Sequence, residues 1–164
     1  MKTLVVAHPD DEIIFFNPDD FERIIIVFGD FGDYRGSTAG DGRRTALKQL
    51  PYADKIVHLD LPESHWTWDR NDPKQRDYVD SSTSNQRYSK YMANYSALSE
   101  FLKGLKADEV ITHGSWGEYG NLDHTLVHHA CLDTLDCPVN GINPKLYRAS
   151  KQIYKDNGVW TWYF

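Results

Sequence analysis

No run of apolar residues in this chain approaches the roughly 20 needed to cross a bilayer, so no integral membrane segment is expected. Cysteine is scarce as well: Cys131 and Cys137 are the only two, and their spacing fits no paired metal-binding motif. A disulfide between them is possible on count, but free thiols in a cytoplasmic protein are the expectation. Positive charge is in short supply, with 18 basic side chains against 24 acidic ones and a net charge of -6. Without a basic stripe or tail there is nothing to hold phosphates in number, and no nucleic acid partner is expected. The acidic residues are scattered rather than gathered in a disordered tail. A secretory leader is not expected either, because after Lys2 the chain runs straight into TLVVAHPDD, where charges arrive too early.

What remains is an ordinary globular composition over 164 residues, 40% hydrophobic and 26% charged. That length suits one domain spanning residues 1–164, able to bury roughly two thirds of its unfolded surface. Thr3 to Ala7 forms a short apolar run closed by Pro9. Arg23 to Phe28, RIIIVF, is continuous rather than alternating, as a central parallel strand covered on both faces would be. Lys55 to Leu59 and Glu109 to Thr112 read as further strands, and Lys145 to Ala149 as a fifth.

Helices are expected between them. Asp41 to Leu50 is one. From Gln86 to Leu105, apolar residues recur in steps of three and four at Tyr88, Tyr91, Met92, Tyr95, Leu98, Phe101, Leu102 and Leu105, the stripe of a core-facing helix. A third helix is expected to begin at Asp123 as its cap and to run towards Leu135, with Leu126, Val127, Ala130 and Leu132 inward. Strands alternating with helices predict an α/β fold, a Rossmann-like, mostly parallel sheet with helices on both faces. Sites in such folds lie beyond the carboxyl ends of the strands.

Two segments leave strands carrying unusual polar residues: HPDDE at 8–12 and THGSWGEYGNLDH at 112–124. In the first, His8, Asp10, Asp11 and Glu12 crowd four ionisable groups into five positions. Adjacent carboxylates repel one another unless a cation or hydrogen-bond donors offset them. A turn capped by Asp10 or Asp11 would need one of these residues, not four. In the second, His124 alone reads most simply as a surface or capping histidine. Joined to His8 and Asp11, it would complete a two-nitrogen, one-oxygen zinc site with a fourth position open.

HPDDE after an apolar strand, with GEYGNLDH at 117–124, resembles the N-acetylglucosaminylphosphatidylinositol de-N-acetylase family, also called LmbE-like. The resemblance runs from residue 3 to about residue 130. It implies a Rossmann-like sheet, a chain shorter than its relatives, and zinc-dependent hydrolysis of an N-acetylated amino-sugar conjugate. It implies His8, Asp11 and His124 as zinc ligands and Asp10 as general base. Asp123 resembles the family's aspartate behind the ligands, and Tyr119 a tyrosine that hydrogen-bonds the substrate carbonyl. Asn121 stands where the family pattern has a histidine; it can donate a hydrogen bond but cannot cycle a proton near pH 7. His128 or protonated Asp10 are candidates for the missing acid.

Arg43 and Arg44 resemble the family's substrate-contacting arginine region, with surface solvation as the alternative. Trp66 and Trp68 offer aromatic faces to a sugar, or anchor a long loop. The glycine-rich stretch from Gly29 to Gly42 matches no phosphate-binding pattern and reads as a rim. Rival functions are a metal-dependent phosphoesterase and a zinc-containing module that binds the sugar conjugate without hydrolysing it. Self-association is left open.

Overall fold

The computed structural model describes residues 1–30, 37–64, 66 and 82–142. Among these residues five parallel strands form one sheet: β1 (Lys2–Val6), β2 (Arg23–Asp30), β3 (Ile56–Pro62), β4 (Glu109–Thr112) and β5 (Val139–Gly141), in the order β3-β2-β1-β4-β5. The helices are α1 (Asp11–Ile14), α2 (Ser37–Lys48), α3 (Ser82–Lys103), α4 (Gly117–Gly120) and α5 (Leu122–Thr134). This is the Rossmann-like α/β arrangement expected. The fifth strand is Val139–Gly141, short and at the sheet edge; the expected strand at 145–149 lies outside the described residues.

Side chains of the central strands divide between two cores because successive residues point to opposite faces. Leu4, Val6, Ile24 and Ile26 turn to one side, where they meet Leu47 of α2 and Tyr52. Val5, Ala7, Ile25 and Val27 turn to the other, against Leu98 and Leu102 of α3 and Leu126, Val127 and Ala130 of α5. The continuous RIIIVF run follows from this two-sided burial, with Ile24 through Phe28 all fully buried.

The helix stripes are narrower than their spacing suggested. On α3, Leu98 and Leu102 are fully buried, but Tyr88, Met92 and Phe101 are exposed. Asn94 takes a buried place instead, donating from Nδ2 to the Pro62 carbonyl oxygen at 2.7 Å and so fixing the chain where β3 ends. Leu132, expected inward, is 47% exposed on α5. The cap of α5 is also corrected: Asn121, not Asp123, accepts from the Asp123 backbone N–H through Oδ1 at 2.9 Å. Asp123 lies within the first turn. Helix α2 begins at Ser37, so Gly40 and Gly42 of the presumed rim are helical, and Arg43 and Arg44 sit in mid-helix. Cys131 is buried and neither thiol is bonded to the other.

Neighbours of β1 are β2 on one side and β4 on the other, and the order in which the parallel strands are laid across the sheet reverses there. In parallel sheets the crevice at such a switch point, beyond the carboxyl ends, is where ligands bind. Both polar segments leave the sheet there: HPDDE follows β1, and THGSWGEYGNLDH follows β4, which pairs with β1 through Val5 and Thr112.

Candidate metal centre

His8, Asp11 and His124 converge at this point. His8 Nδ1 lies 3.2 Å from His124 Nε2, and each of these nitrogens is 3.4 Å from Asp11 Oδ2. Ligands about 2.0–2.1 Å from a tetrahedral ion are separated by roughly 3.3 Å, so the triangle has the edge such an ion requires. The donor set, two imidazoles and one carboxylate, suits a divalent transition-type ion. These side chains are well sheltered, Asp11 being 3% and His124 0% exposed. The three form a group able to hold a metal ion.

Each histidine offers its other nitrogen to a carboxylate. His8 Nε2 faces Asp123 Oδ2 at 3.3 Å, and His124 Nδ1 donates to Glu118 Oε2 at 2.6 Å. Carboxylates behind metal-bound histidines fix the ring orientation and the tautomer. Two further metal-capable groups, His113–Glu118–His124 and His8–Glu63–Asp123, share a histidine with the central triangle. They use the nitrogens facing outward from it, so a single central position leaves all these carboxylates as hydrogen-bond acceptors. Arg43 reinforces this assignment by holding Glu63 with an Nη1–Oε1 contact of 2.5 Å.

Glu118 was not legible in the sequence and is the most connected carboxylate here. It is fully buried, takes His124 on Oε2 and accepts the Gly114 backbone N–H on Oε1 at 2.7 Å. His113 Nδ1 lies 3.2 Å from the same Oε2 but off line, leaving His124 as the aligned donor. Burial opposes ionisation of Glu118, but the two histidines outweigh it and bring its pKa to about 2. The backbone bends to deliver it: Glu118 has φ 52, following Gly117 at φ 67. A side chain at Gly117 would come within 2.9 Å of Thr125 Oγ1, so glycine is required there on both counts.

His113, also missed, is the first residue beyond β4 and completely buried. It stacks on His124 with ring centroids 3.9 Å apart, and its Nε2 accepts the Ala7 backbone N–H at 2.9 Å. The same Nε2 lies 3.4 Å from Asp11 Oδ2, so His113 packs directly behind two of the three triangle residues. Phe15 closes the underside, edge-on to both His113 and His124 at 6.0 Å.

Electrostatics sort the remaining groups. Burial alone would lower the His8 pKa, but hydrogen bonds and charge from Asp11 and Asp123 overcome it and raise it to about 10. Burial likewise works against Asp11, yet His113 and His8 hold its carboxyl well below the usual range. His124 is lowered, by burial first and then by His113. Of the two facing imidazoles, His8 is therefore the one favoured to hold a proton and His124 the one favoured to be neutral. Asp10 differs from its neighbours in reaching solvent. Partial desolvation, then the negative charge of Asp11, push its carboxyl up to about 6. Its side chain makes no helix-capping hydrogen bond, so a simple capped turn does not account for it.

The other expected residues fall into distinct places. Arg43 reaches the site through Glu63, whereas Arg44 is held by Asp60 and Asp41. Trp66 is tied to the site edge: its backbone N–H donates to Ser64 Oγ, which in turn donates to Asp123 Oδ1 at 3.3 Å. The indole lies 5.3 Å from the Tyr88 ring. His128 is directed elsewhere, its Nδ1 donating to the His113 carbonyl oxygen at 2.7 Å, so it steadies the end of β4. Asn121 is engaged as the cap of α5. The Tyr119 side chain and Trp68 lie outside the described residues. No helix among the described residues is long and apolar enough to cross a membrane. No protein-family model matches the chain, and no curated protein matches it.

Proposed function

We propose that the chain is a zinc-dependent amidohydrolase that removes the N-acetyl group from an amino-sugar conjugate. The observation that carries the reading is the His8–Asp11–His124 triangle, with a carboxylate behind each imidazole and the ionisable, solvent-reaching Asp10 beside it. Zinc held there would supply Lewis acidity, polarising the amide carbonyl and acidifying water. Asp10 orients the attacking water and takes one of its protons, since its pKa of about 6 leaves it ionised at neutral pH and still basic enough to act. The same carboxyl then passes that proton to the departing nitrogen as the C–N bond breaks, giving acetate and a free amine. Asn121 is occupied as a helix cap and His128 faces the β4 end, which leaves Asp10 to serve in both directions. Trp66, paired with Tyr88 at the site edge, offers an apolar face to a sugar ring.

A phosphoesterase with two metals about 4 Å apart is less well supported, because the alternative ligand groups reuse His8 or His124. A binding module without turnover is favoured by one feature only, the use of Asn121 as a cap in place of an acid. Two measurements on the purified protein decide: elemental metal content, and amine release from N-acetylglucosamine. One zinc per chain with amine released is the expected result. One zinc per chain with saturable sugar binding and no amine would establish the binding module instead.

Metal uptake should also displace a proton. In the metal-free protein His8 is protonated below its pKa of about 10, and the protonated ring cannot donate a lone pair to zinc. Zinc affinity is expected to rise about tenfold per pH unit from pH 6 to 8, with close to one proton released per ion. Calorimetry in buffers of different ionisation enthalpy checks this; an affinity flat in pH would refute His8 as the group displaced.

A further inference from the structure

We infer that Glu12 is a positioning residue that sets the direction of Asp10, an inference that rests on the hydrolytic reading above. Asp10 stands between two ligand residues with φ 107 and ψ -27, in the left-handed region. For a non-glycine residue such a conformation costs of order 1–3 kcal/mol and persists only where the surroundings hold it. Glu12 supplies the hold. Its Oε2 accepts the Asp10 backbone N–H at 2.9 Å, and its side chain is buried at 1% exposure.

The other oxygen of Glu12 is anchored far away in sequence. Oε1 accepts the Tyr52 hydroxyl at 3.0 Å, and Tyr52 packs in the core on the α2 face of the sheet with Leu4, Val6 and Ile26. The opposite side of Asp10 is pinned as well, because its carbonyl accepts the N–H groups of Ile13 and Ile14 at 3.0 and 2.9 Å. With the peptide groups fixed on both sides, the Asp10 side chain leaves the backbone in one direction, and it stands exposed to solvent. Meanwhile His8 and Asp11 turn inward to the triangle. The buried Glu12 carboxylate is thereby accounted for: both oxygens are satisfied, one by the strained amide and one by the core.

Glu12→Ala and Glu12→Gln test the inference together. Gln keeps an acceptor for the Asp10 amide and lets the amide nitrogen donate to Tyr52 instead. In the Ala variant, hydrogen exchange at the Asp10 amide is expected to accelerate by at least about tenfold. On N-acetylglucosamine, its kcat should fall by about 10- to 100-fold, with KM within about twofold and one zinc per chain retained. The Gln variant should stay within about threefold of wild type in both exchange and kcat. An Asp10 amide unchanged in Glu12→Ala, equal losses in both variants, or loss of zinc together with activity would each overturn the positioning role. A wild-type protein that releases no amine, with its Asp10 amide protected, would defeat the hydrolytic reading and the catalytic purpose of the clamp together. An unprotected amide in an active wild type would defeat the clamp alone. If Glu12→Ala does not fold, Tyr52→Phe removes only the anchor and should show the same pattern at about threefold; no change in either quantity there would count against the inference.

Discussion

His124→Ala should bind zinc at least about a hundredfold more weakly than the native protein, the largest loss of metal expected from any single change at the site. Structural zinc sites contribute about 10–16 kcal/mol in all, so one of three protein ligands carries several kcal/mol of that. The change also strands partners: Glu118, fully buried with a pKa of about 2, would lose its aligned donor. Glu118→Gln isolates the supporting contribution, since glutamine presents no negative charge to His124 Nδ1. A decrease of about 10- to 100-fold is expected there, the usual range for a group that orients a ligand. Competition against a chromophoric chelator gives both affinities, and circular dichroism shows whether each variant is folded. An unchanged affinity in folded His124→Ala would remove it from the ligand set. Equal losses in the two variants would mean that Glu118 is a ligand in its own right.

Some of this site could be read in the sequence and some could not, for definite reasons. Residues 8–12 are bound to their strand by a sharp turn, so His8 and Asp11 are neighbours whatever the rest of the chain does. Asp123 and His124 were conspicuous as a pair. Their meeting with the first segment needed only that β1 and β4 be adjacent, which a parallel sheet of alternating strands and helices makes natural. Glu118 was hidden because its importance comes from a left-handed turn at Gly117 and Glu118, and no hydrophobic periodicity marks such a turn. The flanking glycines, Gly117 and Gly120, were the available signal. His113 could have been found by its place as the first residue beyond a buried strand.

The errors have the same character. Asn121 and Asp123 cap helices about equally well, so a two-residue choice between them was not decidable by propensity. The structure gives the cap to Asn121, whose side chain holds the start of α5 in place. Strand β5, Val139–Gly141, went unmarked because at the sheet edge it has little to bury. On α3, spacing alone assigned Met92 and Phe101 to the core, though only the part of the stripe that reaches the sheet and α5 is covered.

Asp10→Asn should keep its zinc and lose about 10²- to 10⁴-fold in turnover, the range that a positioned general base contributes. Asparagine matches the shape of aspartate but cannot accept a proton, so a loss of this size with metal retained separates the base from the ligands. In the native protein the rate should climb with pH as Asp10 ionises. Its pKa of about 6 without metal sets the upper limit of that limb, because a cation nearby favours the charged form. The same group makes a second, independent demand on the metal-free protein. Its folded pKa stands above the ordinary 3.8, so between about pH 4 and 6 the unfolded chain ionises more readily than the folded one. Stability contributed by the protonated group is present below that window and lost as pH rises through it. Asp10→Asn should abolish this decline and leave the metal-free protein more stable than wild type at pH 7, by an amount reduced by the side chain's access to solvent. A variant that is inactive, zinc-loaded and more stable when stripped of metal would mark Asp10 as a residue kept for chemistry at the expense of the fold. Full activity in the same variant would remove it from the mechanism.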